Sequence, residues 1–114
     1  MKDLITIGLP SKGRLKEKSI SFFNDRGLKI IQSEKERNYF GTIENKPNVK
    51  IIFLHAKEII QRLGDGTLDI GVSGLDLLKE SDINLQRKIN IQKKLDYGNA
   101  NLVIAVPDDW IDVQ

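Results

Sequence analysis

Residues 5–15, Ile5-Thr6-Ile7-Gly8-Leu9-Pro10-Ser11-Lys12-Gly13-Arg14-Leu15, change period from strand to helix. Leu4 to Leu9 is a short apolar run with β-branched members, which reads as a buried strand. Pro10-Ser11-Lys12-Gly13 interrupts it. From Arg14 to Arg26, Leu15, Ser19, Phe22 and Phe23 fall at i, i+4, i+7 and i+8 and line one helix face, and Gly27 supplies the stop. A buried strand, a tight loop and an amphipathic helix make the opening of a β-α unit.

The rest of the chain continues the alternation. Leu28–Ser33 and Tyr39–Ile43 read as strands with a charged connection, Glu44-Asn45-Lys46-Pro47-Asn48 as a turn, and Val49–Leu54 as a further strand. Ala56, Ile59, Ile60 and Leu63 give a second amphipathic helix ended by Gly64 and Gly66. Leu68–Val72 is a short strand. Ser73-Gly74 leads into a helix over Leu75–Glu80, with Ser73 and Asp76 at capping-box spacing. The stretch 83–96 fits strand or helix. Asn101–Val106, stopped by Pro107, is a last buried strand. Strands separated by helices predict an α/β fold with a mostly parallel sheet flanked by helices. In such sheets ligands bind at the carboxyl ends of strands beside helix starts, here the loops after Leu9 and Val72.

Composition narrows the function. The 114 residues suit one domain, and the absence of cysteine excludes disulfides, thiolate metal sites and a cysteine nucleophile. No apolar run reaches the ~18 residues of a membrane span, and the N-terminus reads as a first strand and not a signal peptide, so a cytoplasmic location without membrane contact is expected. The net charge of +2 is too small for a nucleic-acid footprint. The basic stretch Arg87–Lys94 reads as a solvated face.

Three groups of residues can carry chemistry. At the first strand–helix junction, Lys12 and Arg14 flank Gly13, and Ser11 can cap the helix or donate to an oxygen; a helix start with such residues suits a phosphate, although a turn with two solvated cations has the same spelling. Gly8 and Gly13 have P-loop spacing, but Arg14 and Leu15 stand where Lys and Ser/Thr are needed. In Asp69-Ile70-Gly71-Val72-Ser73-Gly74-Leu75-Asp76, the glycines permit either close ligand approach or close packing, and Asp69 and Asp76 either bind or cap. Arg37 and Tyr39 lie in a charged loop where an arginine can clamp phosphate or face solvent. The lone His55, where a strand yields to a helix, is either a ligand contact or a structural histidine. No residue reads as a metal ligand.

Ser11-Lys12-Gly13-Arg14-Leu15, the segment Asp69–Asp76, and the order in which they stand with Phe53-Leu54-His55-Ala56-Lys57-Glu58 resemble the N-terminal half of the ATP phosphoribosyltransferase family, from Ile5 to about Val113. The resemblance implies a periplasmic-binding-protein-like (type II) lobe, with residues 1–114 as the first of two lobes and a crossover toward the second near 95–114. It implies transfer of the phosphoribosyl group of 5-phosphoribosyl-1-pyrophosphate to N1 of ATP, the first step of histidine biosynthesis, with Mg²⁺ on the substrates' phosphates. Arg14 and Arg37 would be the catalytic cations, Arg37 from the same or a neighbouring subunit. Ser11, Lys12, Gly13, Tyr39, His55, Asp69, Gly71, Ser73 and Gly74 would bind substrate. A homo-oligomer is implied, and the style of Pro10–Leu15 and Val106–Val113 inclines toward the short form, which needs a separate regulatory subunit resembling a histidyl-tRNA synthetase.

Two departures stand out. His55 replaces an arginine common in the family, and the family's Ser/Thr-Gly-x-Thr phosphoribosyl loop has no match. A fragment that is inactive alone is therefore expected. Against the enzyme stands a non-catalytic anion- or nucleotide-binding domain of the same fold, or an interaction domain pairing through sheet edges. The decisive expectation is that the helix starts carrying Lys12, Arg14 and Ser73 share one pocket.

Overall fold

A computed structural model describes residues 4–32, 39–97 and 100–107, with backbone alone at 96, 97, 100 and 101. Strand β1 (Ile5–Pro10) leads to helix α1 (Gly13–Asp25). The chain then forms β2 (Ile30–Gln32), β3 (Phe40–Ile43) and β4 (Lys46–Leu54). Helix α2 (Ala56–Asp65) precedes β5 (Ile70–Gly74). Two short helices, α3 (Leu75–Lys79) and α4 (Ile83–Gln86), follow, and β6 (Ile89–Tyr97) and β7 (Ala100–Pro107) complete the fold.

The seven strands form one sheet in the order β2-β3-β4-β1-β5-β7-β6. Only the central trio is parallel: β1 pairs with β4 from Ile5↔Val49 to Pro10↔Leu54, and with β5 at Ile7↔Ile70 and Gly8↔Gly71. The other four pairings are antiparallel, which corrects the expected mostly parallel sheet. For the two hairpins the reason lies in the connections. A parallel neighbour needs a crossover of a dozen or more residues, whereas β3 and β4 are joined by the two-residue turn Glu44-Asn45 and β6 and β7 by residues 98–99. Asn45 takes a φ of 67°, the left-handed conformation that asparagine tolerates in tight turns. The expected turn over 44–48 is therefore shorter, and Pro47 lies inside β4. There the pairing with β3 jumps from Thr42↔Lys50 to Ile43↔Lys46, an irregularity that accepts a residue without an N–H. The ambiguous stretch contains both structures, one helical turn and then a strand.

Alternation along the trio splits the core between the two faces. Ile7, Leu9, Ile51, Phe53 and Val72 pack with Phe22 and Phe23 of α1. On the other face Ile59, Ile60 and Leu63 of α2 pack with Leu68, Leu78, Val103 and Ala105. Gly71 lies under α2, and a Cβ there would meet Leu63 at 2.8 Å and Ile59 at 2.9 Å. Its missing side chain lets the helix sit down on the sheet, so packing explains Gly71 and the expected substrate contact is withdrawn. None of the helices is long and apolar enough to cross a membrane among the described residues.

Candidate functional site

Because β4, β1 and β5 are parallel, their carboxyl ends emerge on one edge of the sheet. Three chain segments meet there: Ser11-Lys12-Gly13 after β1, His55 after β4, and Gly74 at the end of β5. The Ser11 amide donates to the Leu54 carbonyl at 2.9 Å and ties the first two together.

Helix α1 starts without a side-chain cap. Lys12 is the N-cap residue, with extended backbone and no capping hydrogen bond, so Ser11 does not cap the helix as the sequence suggests. Gly13 opens the helix at φ 68°, a conformation glycine adopts at no steric cost. The first turn holds no acid. Its amides therefore keep their partial positive charge for an external anion.

Crevices open on both sides of the Ser11-Lys12 turn. One, of about 660 Å³, is lined by Ser11, Lys12, Gly13, Arg14, Lys16 and Gln32, with Glu17 and Ile20. The other, of about 490 Å³, lies between the ends of β1 and β4 and is lined by Ser11, Lys12, Tyr39, His55, Glu58 and Arg62 over the apolar floor of Phe40 and Ile52–Leu54. Both fall in the range of small-molecule sites. Each has more cations than carboxylates on its walls. Lys12 is common to both.

His55 caps α2, its Nδ1 accepting the Lys57 amide at 3.3 Å. An accepting Nδ1 leaves the ring proton on Nε2. Glu58 and Arg62 form an i,i+4 pair, with Glu58 Oε2 accepting from Arg62 Nε at 2.9 Å and lying 2.8 Å from Nη2. Tyr39, half exposed, is fixed by its carbonyl, which accepts the Phe53 amide at 2.8 Å.

The second motif behaves differently. Ser73 is fully buried within β5, and its hydroxyl donates to the Gly74 carbonyl at 3.2 Å. The strand runs two residues further than expected, so Gly74, without a side-chain cap, precedes α3 and no capping box with Asp76 forms. Ser73 and Gly74 line neither crevice at Lys12. The starts of α1 and α3 share an edge, but α1 packs on one face of the sheet and α3 on the other. Of the three residues expected to share a pocket, Lys12 and Arg14 line one crevice together, and Ser73 lines neither of the two at Lys12. Asp69 lies at the amino end of β5, the opposite edge. Its carboxylate accepts the Thr6 amide at 2.8 Å while its own amide donates to the Thr6 carbonyl, so it fastens strands and lines neither crevice at Lys12. Arg37 lies outside the described residues.

Sequence reasoning missed Lys16, Gln32, Glu58 and Arg62. The spacing His55, Glu58, Arg62, one stripe of a helix, is the signal that could have found the last two.

The family model described as HisG: ATP phosphoribosyltransferase matches residues 55–114. The chain belongs to the ATP phosphoribosyltransferase family. It is 40% identical over 109 residues to the ATP phosphoribosyltransferases of Brucella melitensis biotype 2 and Brucella ovis, a match covering 96% of this chain and 47% of each relative. The chain thus spans about half the length of the curated relatives it matches. Among solved structures it resembles an ATP phosphoribosyl transferase (HisG:HisZ) complex from Thermotoga maritima, with a TM-score of 0.56 and 21% identity over 81% of this chain and 40% of that one. That likeness bears on the fold, a mixed α/β arrangement common to both.

Proposed function

We propose that this chain supplies one wall of an ATP phosphoribosyltransferase active site, in the first of two lobes of a periplasmic-binding-protein-like (type II) catalytic unit. The observation that carries the reading is the Ser11–Arg14 turn: an uncapped, acid-free helix start with Lys12 and Arg14 exposed beside it, at the carboxyl edge of three parallel strands, in a member of this family.

The reaction needs no protein nucleophile. Adenine N1 of ATP attacks C1 of 5-phosphoribosyl-1-pyrophosphate, the C1–O bond to pyrophosphate breaks, and pyrophosphate leaves with the bonding electrons. What remains for the protein is alignment of the two substrates and neutralisation of the departing charge. Arg14, Lys12 and the α1 amides suit the second task. Tyr39 and His55 present an exposed ring and a ring N–H to the neighbouring crevice. Arg37 keeps its proposed phosphate role on sequence position alone.

Mg²⁺ would arrive on the substrates' phosphates. The donor chemistry agrees: the carboxylates lining the crevices are Glu17 and Glu58, and Glu58 is occupied by Arg62. A wall dominated by cations fits an anion that carries its own metal. When bound, the ion would share the neutralisation of phosphate charge. The second lobe, a homo-oligomer, a histidyl-tRNA-synthetase-like regulatory subunit and a cytoplasmic location complete the proposal. The regulatory subunit is favoured by the Thermotoga maritima neighbour, itself a HisG:HisZ complex.

The test is Arg14→Ala in the protein at its natural length. A lost charge-stabilising group of this type costs roughly 100-fold in turnover. Pyrophosphate release and ATP affinity should be measured together. Unchanged turnover with unchanged affinity removes Arg14 from the site.

A further inference from the structure

The geometry points to Arg62 as an additional phosphate-contacting residue, aimed into the β1–β4 crevice by Glu58. The inference rests on the reading of this edge as a polyanion site, and extends it to a residue that no motif marks. The N-cap His55 and Glu58 and Arg62 of α2 follow one stripe, and all three line the crevice together with Ser11, Lys12 and Tyr39. Elsewhere on a helix surface an i,i+4 ion pair contributes little and needs no explanation. Here it has a directional consequence. Glu58 Oε2 accepts from Arg62 Nε at 2.9 Å and lies 2.8 Å from Nη2, and so biases the guanidinium toward one orientation although both side chains are partly exposed. A guanidinium has five N–H donors in a rigid fork. One, Nε–H, is donated to Glu58 Oε2, which also lies close to Nη2. Neither Nη group donates a hydrogen bond to another described residue. A planar donor edge with Lys12 as a second cation on the same crevice matches the oxygens of a phosphate or pyrophosphate group.

Inorganic pyrophosphate is the probe, titrated calorimetrically at low salt into the protein at its natural length. Arg62→Ala should weaken binding about tenfold, the loss of a charge-assisted hydrogen bond. Arg62→Lys, a point charge without the fork, should recover only part of it. The double variant Arg62→Ala with Glu58→Ala restores the net charge of the crevice but not the fork, and should stay about fivefold or more weaker than wild type. Binding by Arg62→Ala within twofold of wild type overturns the inference, and so does full recovery in the double variant, which would reduce Arg62 to a local field effect. Absence of pyrophosphate binding by the wild type also overturns it. Failure of the wider reading looks different: wild type that binds pyrophosphate through Arg62 yet makes no phosphoribosyl-ATP refutes the proposed reaction alone. Turnover by wild type, with Arg62→Ala keeping both wild-type KM values and pyrophosphate affinity, refutes this inference alone.

Discussion

Asp69 gives its carboxylate to the backbone of β1. Asp69 is 2% exposed and its carboxylate accepts the part-buried Thr6 amide, so truncation leaves that N–H without this partner as well as removing a bond. An orphaned buried donor costs about 1–3 kcal/mol, beyond the loss of packing. Asp69→Ala is therefore expected to lower unfolding stability by about 2–3 kcal/mol in urea, with the m-value unchanged. Asp69→Asn keeps an acceptor oxygen and should retain most of the stability. Affinity of the folded Asp69→Asn protein for ATP should match wild type; a large loss of affinity at full stability would return Asp69 to the substrate. The same residue shows where sequence stops being informative. Asp69 and Gly71 stand in one motif with Gly74, yet a strand of five residues carries Gly74 to the ligand edge and leaves Asp69 at the other. Spacing along the chain names the strand; only register against β1 says which end of it faces a ligand.

At the scale of the element, α2 couples stability to the site. Its first turn is capped by His55 and its end by Gly66, which adopts φ 83°. Replacing the cap acceptor costs about 1 kcal/mol. His55→Ala should lower thermal stability by that amount, whereas His55→Asn, which still accepts at an N-cap, should not; equal melting temperatures for both would show that the cap contributes nothing. The pair also separates roles, since neither variant keeps the imidazole that lines the crevice. The helices were legible in the sequence for the same reason the cap is: a 3.6-residue period and a terminal glycine are local signals. Strand direction is not local. Leu102 to Val106 is an apolar run that spells a buried strand whichever way it points. In β6, Ile89, Ile91 and Leu95 alternate with polar and cationic residues after a single helical turn, too short a helix to register as one. The antiparallel half of the sheet was invisible for that reason. The Ser11–Arg14 junction was visible because its loop, glycine and cations are consecutive. Arg62 was not, because its role depends on a crevice made by two strands whose paired residues, from Ile5 and Val49 onward, lie far apart in sequence.

The whole molecule packs as an independent unit yet offers an open site. Its radius of gyration is 13.3 Å, matching the ~13 Å expected for a compact domain of this length. Both faces of the sheet have a helix-covered core, so the chain should fold alone and unfold cooperatively. Its site, however, is an edge. In the proposed site the cations of the Ser11–Arg14 turn and of α2 would address one side of a ligand, and nothing in the described residues closes the other. Differential stabilisation of a transition state requires groups fixed around both reactants with water excluded. A single wall binds charge without aligning an adenine N1 against a sugar C1. The 114 residues alone are therefore expected to bind inorganic pyrophosphate weakly and to produce no phosphoribosyl-ATP from ATP, 5-phosphoribosyl-1-pyrophosphate and Mg²⁺. Pyrophosphate release and nucleotide product should both stay at the level of a no-protein control, while calorimetry still detects binding that weakens in Arg14→Ala. Turnover by this chain alone would place a complete active site within it, and the two crevices beside Lys12 would then have to hold both substrates at once.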